Sequence, residues 1–127
     1  MPKTFSILVA DKNKNVRDFL KRELSAEGYL VDTARDGNQV LEIIIGQDTP
    51  DLLVLDLEIP GIESAIVFER AQTRIPPLPV IVHTFLTEES ERNSGGTPEI
   101  YIEKSGNIDR LKSAITDVLK RFYPQET

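Results

Sequence analysis

Four polar side chains with complementary chemistry stand at the ends of four short apolar runs. The runs are FSILVA, DLLVLD, PVIVHT and EIYIEK, and the residues at or just after their ends are Asp11, Asp56, Thr84 and Lys104. A carboxylate such as Asp56 can act as a nucleophile that becomes an acyl phosphate, while Mg²⁺ neutralises the charge of donor and acceptor. A hydroxyl and an ammonium group can hold the phosphoryl oxygens by charge-assisted hydrogen bonds. Together the four residues predict phosphoryl transfer to Asp56.

Considered alone, most of these residues also have a plain structural interpretation. Asp11 could cap the helix that follows it, Thr84 is an ordinary strand former, and Lys104 is by default an exposed lysine. Asp56 is the strongest functional candidate, because acids are seldom buried without a partner.

Three further polar residues lie near the same strand ends. Glu58 has the pattern of an ordinary surface acid, and Tyr101 that of a residue covering the core or the surface. His83 is interpreted as a packed or edge residue rather than a catalytic base, because no serine or cysteine nucleophile is evident near it.

The apolar runs alternate with segments of helical periodicity, which predicts a parallel sheet with helices on both faces. The first, third and fourth runs are apolar at nearly every position, a pattern typical of strands covered on both sides. In such sheets the binding sites form at the carboxyl ends of the strands, where the four polar residues stand. The predicted strands are 5–10, 29–34, 51–56, 79–84 and 99–104. The predicted helices carry apolar stripes at 16–24, 40–45 and 108–122, with a weaker one at 63–73.

Composition narrows the classes of protein that the chain can represent. Its 127 residues suit a single domain, and its formal net charge of −6 disfavours direct nucleic-acid binding. The chain has no cysteine and one histidine, which excludes thiolate and multi-histidine metal sites. No apolar run approaches the length of a signal peptide or a membrane span, so we expect a cytoplasmic protein without membrane contact.

Two segments carry a resemblance to a known family. The stretch DLLVLDLEIPG resembles the phospho-acceptor segment of receiver domains of two-component response regulators, and RDFLKRELSAEGYLVDTARDG resembles their first helix, second strand and following turn. The resemblance implies a flavodoxin-like, doubly wound, five-stranded parallel sheet of order 2-1-3-4-5, with helices on both faces. It implies one receiver domain over 1–127, with a core at about 5–122.

The resemblance also assigns roles to the residues at the strand ends. It implies that Asp56 is the phospho-acceptor, Thr84 the switch hydroxyl, Tyr101 the switch aromatic and Lys104 the contact to the phosphoryl group. The implied activity is signal transduction rather than enzymatic turnover. The implied partners are a histidine kinase or phosphotransfer protein and a protein that receives the output, and dimerisation through the last strand and helices is compatible with the sequence.

The segment ILVADKNKN departs from the family at the implied magnesium site. The family usually has two adjacent acids after the first strand, whereas this chain has Asp11 and then Lys12. A cation in place of a metal-binding carboxylate repels Mg²⁺, so we expect its affinity to fall by more than about tenfold. The candidate metal ligands are Asp11, Asp56 and Glu58, with Glu58 as a substitute ligand. We further expect Lys12 to reach toward Asp56 and, with Lys104, to leave the cleft nearly neutral without an ion. The alternative is that Lys12 points to solvent at the start of the first helix.

Three other features differ from the family. Ser105 follows Lys104 where proline with a cis bond is common, which predicts a trans bond. Phe85 replaces a small residue after Thr84 and is expected to crowd the cleft. The segment LTEESERNSGGTPE has few apolar residues, so the helix that the family has there is predicted to be short or irregular, around 87–93.

Two functions therefore stay open. The first is a working receiver phosphorylated on Asp56, and the second is a degenerate receiver that binds its partner independently of phosphorylation. A flavin-mononucleotide binder is disfavoured because DKNKN is not a glycine- and hydroxyl-rich phosphate loop. A phosphatase with an aspartate nucleophile is disfavoured because EIPG follows where such enzymes continue with aspartate and a hydroxyl residue. The sequence identifies neither the kinase nor the output partner.

Overall fold

Strands and helices alternate along the chain in a computed structural model that describes residues 3–85, 99–104 and 107–126. The predicted helix around 87–93 and the bond between Lys104 and Ser105 involve residues outside these ranges. Within them, each strand is one or two residues shorter than its predicted run. The elements are β1 (Ser6–Ala10), α1 (Lys14–Ala26), β2 (Leu30–Ala34), α2 (Gly37–Ile44), β3 (Leu52–Leu55), α3 (Ser64–Thr73), β4 (Val80–Thr84), β5 (Ile100–Glu103) and α4 (Ile108–Phe122).

The five strands form one parallel sheet in the order β2-β1-β3-β4-β5, which confirms the predicted topology. β3 is the middle strand, and β1 lies between β2 and β3, in register with β2 from Ser6 opposite Leu30 and with β3 from Ile7 opposite Leu52. The strand order reverses between β1 and β3, so the connection that leaves β1 runs toward one edge of the sheet and the connection that leaves β3 runs toward the other. The carboxyl ends of β1 and β3, and those of β4 and β5, open on the same edge.

The two faces of the sheet carry separate clusters of buried apolar side chains. Along β1, Ile7 and Val9 belong to the cluster under α1 and α4, whereas Leu8 and Ala10 belong to the cluster under α2 and α3. This alternation explains why the strand is apolar at every position, since side chains of a strand point to opposite faces in turn. The helix residues of the first cluster include Leu20, Leu24, Leu111, Ile115, Val118 and Leu119, and those of the second include Val40, Ile44, Val67, Phe68 and Ala71.

The helices begin and end where local hydrogen bonding requires it. The Asn13 side chain accepts hydrogen bonds from two backbone N–H groups at the start of α1, and Gly28 follows its end with a φ of +98°, which favours glycine. Ile45 was predicted in the buried stripe of the second helix but is 66% exposed, because α2 ends at Ile44. None of the helices in the described ranges has the length and apolar character that crossing a membrane requires.

Candidate functional site

The four polar residues predicted at the strand ends come together at the carboxyl edge of the sheet. Asp11 follows β1, Asp56 follows β3, Thr84 ends β4 and Lys104 follows β5. Asp11, Asp56 and Thr84 are each only 1% exposed, and the Lys104 side chain is 7% exposed. Charged groups are seldom buried to this extent unless they are paired, so the geometry of their contacts decides what the site can do.

Lys104 bridges the two buried carboxylates. Its Nζ lies 2.8 Å from Asp11 Oδ2 and 3.1 Å from Asp56 Oδ2. The Lys104 backbone N–H donates to the Thr84 carbonyl oxygen at 3.0 Å, which continues the β4–β5 pairing to the end of the sheet and fixes where the side chain starts. A single ammonium group therefore holds the carboxylates of β1 and β3 together, although the strand that carries it lies at the sheet's edge.

The two oxygens of Asp56 have different surroundings. Oδ1 accepts a hydrogen bond from the Glu58 backbone N–H at 3.0 Å and a long one from Thr84 Oγ1 at 3.4 Å. Oδ2 has the ion pair with Lys104 and, within the described part of the chain, no aligned hydrogen bond. The carboxylate is thus anchored through one oxygen, and the other keeps a lone pair that can attack phosphorus if Lys104 gives way.

Asp11 is oriented by the start of α1. Its Oδ1 accepts from the Asn13 backbone N–H at 2.9 Å, and its carbonyl oxygen accepts from Arg17 Nη1 at 2.8 Å. These contacts fix the turn between β1 and α1 and direct Oδ2 toward Lys104. Neither Asn13 nor Arg17 was predicted to support the site. Asn13 is detectable as a helix-capping residue, and Arg17 as a cation one turn into the helix that follows an acid.

Lys12 does not contact Asp56, contrary to our expectation. Its Nζ lies 2.8 Å from Glu58 Oε2, and both side chains are about half exposed, at 50% and 55%. The hydrogen bond to Glu58, and then the negative charge of Glu58, raise the pKa of the Lys12 ammonium. The charges of Asp56 and Asp11 make smaller contributions in the same direction. The loops after β1 and β3 are neighbours, and a surface partner costs a lysine less hydration than burial would. The charge balance of the buried site therefore rests on Lys104.

The three carboxylates predicted as metal ligands are not gathered into one site. Glu58 is turned to Lys12, and no group of three or more histidine, cysteine, aspartate or glutamate side chains in the described ranges could hold a metal ion. Asp11 and Asp56 still suit Mg²⁺, which is commonly held by one or two carboxylates and several waters. The two carboxylates converge on one point, since Nζ of Lys104 contacts both of them. The donor set fits Mg²⁺ with two protein carboxylates, one fewer side chain than predicted.

Two aromatic residues, Tyr101 and Phe85, lie near the buried polar site. Tyr101, the predicted switch aromatic, is half-buried on β5 opposite Val82 and packs against the cluster under α2 and α3. Phe85 was expected to crowd the cleft. It is 55% exposed, and its ring centroid lies 5.7 Å from Lys104 Nζ. This distance allows a cation–π contact on the outer side of the ammonium.

His83 is buried beside the site without entering it. It is 8% exposed, and its Nδ1 has no hydrogen-bond partner within the described residues. Burial, and then the positive charge of Lys104, lower the pKa of His83 from 6.5 to about 4. The imidazole is therefore neutral at physiological pH, and its environment fits the packed role expected from the sequence.

The depressed pKa of His83 predicts a loss of stability in mild acid. Between pH 4 and 6.5 the unfolded chain binds the proton that the folded chain excludes, so the free energy of unfolding falls as the pH falls through this window. From pH 7 to pH 5 we expect this group to remove about 2 kcal/mol. Urea unfolding of the wild type and of His83→Leu at both pH values measures the effect, because other titrating groups cancel in the comparison. An identical pH dependence of the two proteins would contradict it.

A comparison with known protein families shows which family has this sequence pattern. The sequence model described as the response regulator receiver domain matches residues 7–116. The response regulator MprA of Mycobacterium avium (strain 104) is 34% identical over 122 residues, which cover 94% of this chain and 53% of MprA. The chain thus spans about half the length of the curated relatives that it matches.

Solved structures agree with the family match. The response regulator protein TrrA of Thermotoga maritima, in complex with Mg(2+)-BeF, is 33% identical, covers 91% of this chain and 100% of its own, and superposes with a TM-score of 0.81. A CheY-like response regulator receiver domain protein of Methanospirillum hungatei JF-1 is 26% identical, with coverages of 94% and 96% and a TM-score of 0.80.

Proposed function

Because the chain belongs to the response regulator receiver domain family of two-component signalling, we propose that it accepts a phosphoryl group on Asp56 and that Lys12 weakens its Mg²⁺ binding. One observation carries the proposal. The buried Asp56 carboxylate is anchored at Oδ1, while Oδ2 faces the ammonium of Lys104 without an aligned hydrogen bond. This is a nucleophile held in place beside a cation that can follow the charge of the transferred group.

Each surrounding residue has a distinct part in this reaction. The Glu58 N–H and the Thr84 hydroxyl keep the carboxylate oriented during the attack, because both bind the oxygen that does not react. Lys104 then moves its contact from Asp56 Oδ2 to a phosphoryl oxygen, and the Thr84 hydroxyl, which has one proton to donate, exchanges its long contact with Oδ1 for another phosphoryl oxygen. Tyr101 and Thr84 are the residues that would report the change to the protein's surface, as the family resemblance implies.

Mg²⁺ would be held by the carboxylates of Asp11 and Asp56, and when bound it supplies positive charge to the phosphoryl group and its donor. Two features weaken its binding. Lys104 already occupies both carboxylates, and Lys12 places a further positive charge at the mouth of the site. Glu58 offsets part of that charge but does so by using the carboxylate that was expected to serve as a substitute ligand.

The partners follow from the proposed chemistry. A histidine kinase or phosphotransfer protein would supply the phosphoryl group, and a protein surface would receive the signal. We propose a signalling module of one domain, with its core at about 5–122, rather than an enzyme that turns over an external substrate. We also propose that the protein is cytoplasmic, that it makes no direct contact with nucleic acid and that it can form a homodimer.

The test is phosphorylation by a small donor. Incubation with phosphoramidate and Mg²⁺ is expected to add one phosphoryl group, seen by intact mass, and Asp56→Asn is expected to abolish the gain because it removes the nucleophile. Asp32→Asn is the matched control, since Asp32 is an exposed acid on β2. A gain of mass in Asp56→Asn, or none in the wild type, would refute the assignment.

A second function is favoured by one specific observation. The ion pairs of Lys104 with Asp11 and Asp56, and of Lys12 with Glu58, give each of the five charged groups an opposite partner and leave a net charge of only −1 without a metal ion. Such a nearly balanced site suits a degenerate receiver that binds its partner without being phosphorylated. An unmodified wild type at saturating Mg²⁺ and donor is the result that would establish this alternative over the first.

A further inference from the structure

We infer that Lys12 takes the place of the divalent cation, so that Asp56 is phosphorylated without Mg²⁺ when the Lys12 ammonium leaves Glu58 and binds the phosphoryl group. This inference rests on the proposed function, because it requires that Asp56 be the acceptor. It adds a catalytic residue to the reaction and assigns a role to the side chain that weakens metal binding.

The position of Lys12 is the first support. It follows Asp11 directly along the chain. Its ammonium is bound by Glu58, which lies two positions after Asp56. Lys12, Glu58 and Lys104 line the same cavity. The Lys12 ammonium therefore shares this cavity with the lysine that pairs with the two buried carboxylates, although Lys12 itself contacts neither of them.

The present partner of Lys12 is easily exchanged. The pair with Glu58 is about half exposed on both sides, and exposed ion pairs of this kind contribute little to stability. A phosphoryl group carries more negative charge than a carboxylate, and lysine binds phosphate as a mobile point charge. Because Glu58 is 55% exposed, water can solvate its carboxylate once the ammonium has left.

The chemical step is complete without a metal ion. Asp56 Oδ2 forms a bond to the phosphorus of phosphoramidate, whose nitrogen is protonated near neutral pH, and the P–N bond breaks. The nitrogen takes the bonding pair and leaves as ammonia. The carboxylate becomes an acyl phosphate, whose dianion adds one negative charge to the pocket. Three groups can meet its three free oxygens: the ammonium of Lys104, the hydroxyl of Thr84 and the ammonium of Lys12.

Phosphorylation in the presence of EDTA tests the inference. At constant ionic strength, the wild type is expected to gain one phosphoryl group from phosphoramidate at nearly the same rate in EDTA as in Mg²⁺. Lys12→Ala is expected to lose at least about tenfold in EDTA, because one charged contact to the transition state is gone. Mg²⁺ is expected to restore much of the rate of this variant, since the repelling cation is absent as well.

The matched control is Lys21→Ala, which removes an exposed lysine of α1 away from the site and should leave both rates unchanged. A wild type that is modified only in Mg²⁺ overturns the inference and leaves Asp56 as the acceptor. Equal rates of the wild type and Lys12→Ala in EDTA overturn it too. A wild type that is modified under neither condition overturns the proposed function together with the inference.

Discussion

Replacing Lys12 by aspartate is expected to tighten Mg²⁺ binding by about a hundredfold, because the change removes a repelling cation and adds an attracting carboxylate at the mouth of the site. The substitution also releases Glu58, whose carboxylate is held by Lys12 in the wild type. The new side chain would then add a third carboxylate to those of Asp11 and Asp56, and oxygen ligands of this kind are the ones that Mg²⁺ prefers. The gain in affinity is measurable by isothermal titration with MgCl₂ at constant ionic strength.

Lys21→Asp separates a local effect from a change of net charge. It makes the same charge change on an exposed position of α1, and we expect a much smaller effect there because distant surface charges are screened. Glu58→Gln tests the other half of the pair, since it leaves Lys12 uncompensated and should weaken binding further. Equal Mg²⁺ affinities of the wild type and Lys12→Asp would show that Lys12 does not control the metal site.

The fold was predictable because its determinants are local and repeated. A strand such as β1 that is apolar at every position requires cover on both faces, and the structure supplies it with Ile7 and Val9 on one side and Leu8 and Ala10 on the other. Alternating strands and helices then leave few topologies. The site followed from the same logic, because a residue placed just after a parallel strand must lie at one known edge of the sheet.

The partners of the lysines were not predictable in the same way. Lys12 and Lys104 are long and flexible, and each could reach several carboxylates from its place in the sequence. The choice depends on desolvation: Lys104 is enclosed at 7% exposure and pairs with two buried acids, while Lys12 stays half exposed with Glu58. Burial of this kind depends on how the loops pack and is not visible in the order of the residues. The sequence therefore predicted the cluster correctly but paired Lys12 with Asp56 instead of Glu58.

Replacing Lys104 by methionine is expected to lower the free energy of unfolding by about 3 kcal/mol, because it leaves two buried carboxylates facing each other without a cation. Asp11 and Asp56 are each 1% exposed, so water cannot replace the lost ammonium without opening the site. Methionine keeps the length and the apolar stem of lysine, which limits the loss to the charge. Urea unfolding near pH 7 in the absence of divalent cations measures the difference.

Two further measurements identify the repulsion as the cause. The double variant Asp11→Asn/Lys104→Met should recover much of the lost stability, since only one buried charge then remains, and the cycle of single and double variants gives the coupling between the two residues. Added Mg²⁺ should stabilise Lys104→Met more than the wild type, because both carboxylates are then free to bind it and a ligand of the folded state raises stability by mass action. Lys112→Met, which removes the partly exposed pair with Glu23, should change stability much less. If Lys104→Met were no less stable than Lys112→Met, the buried acids would have to be compensated by a group other than Lys104.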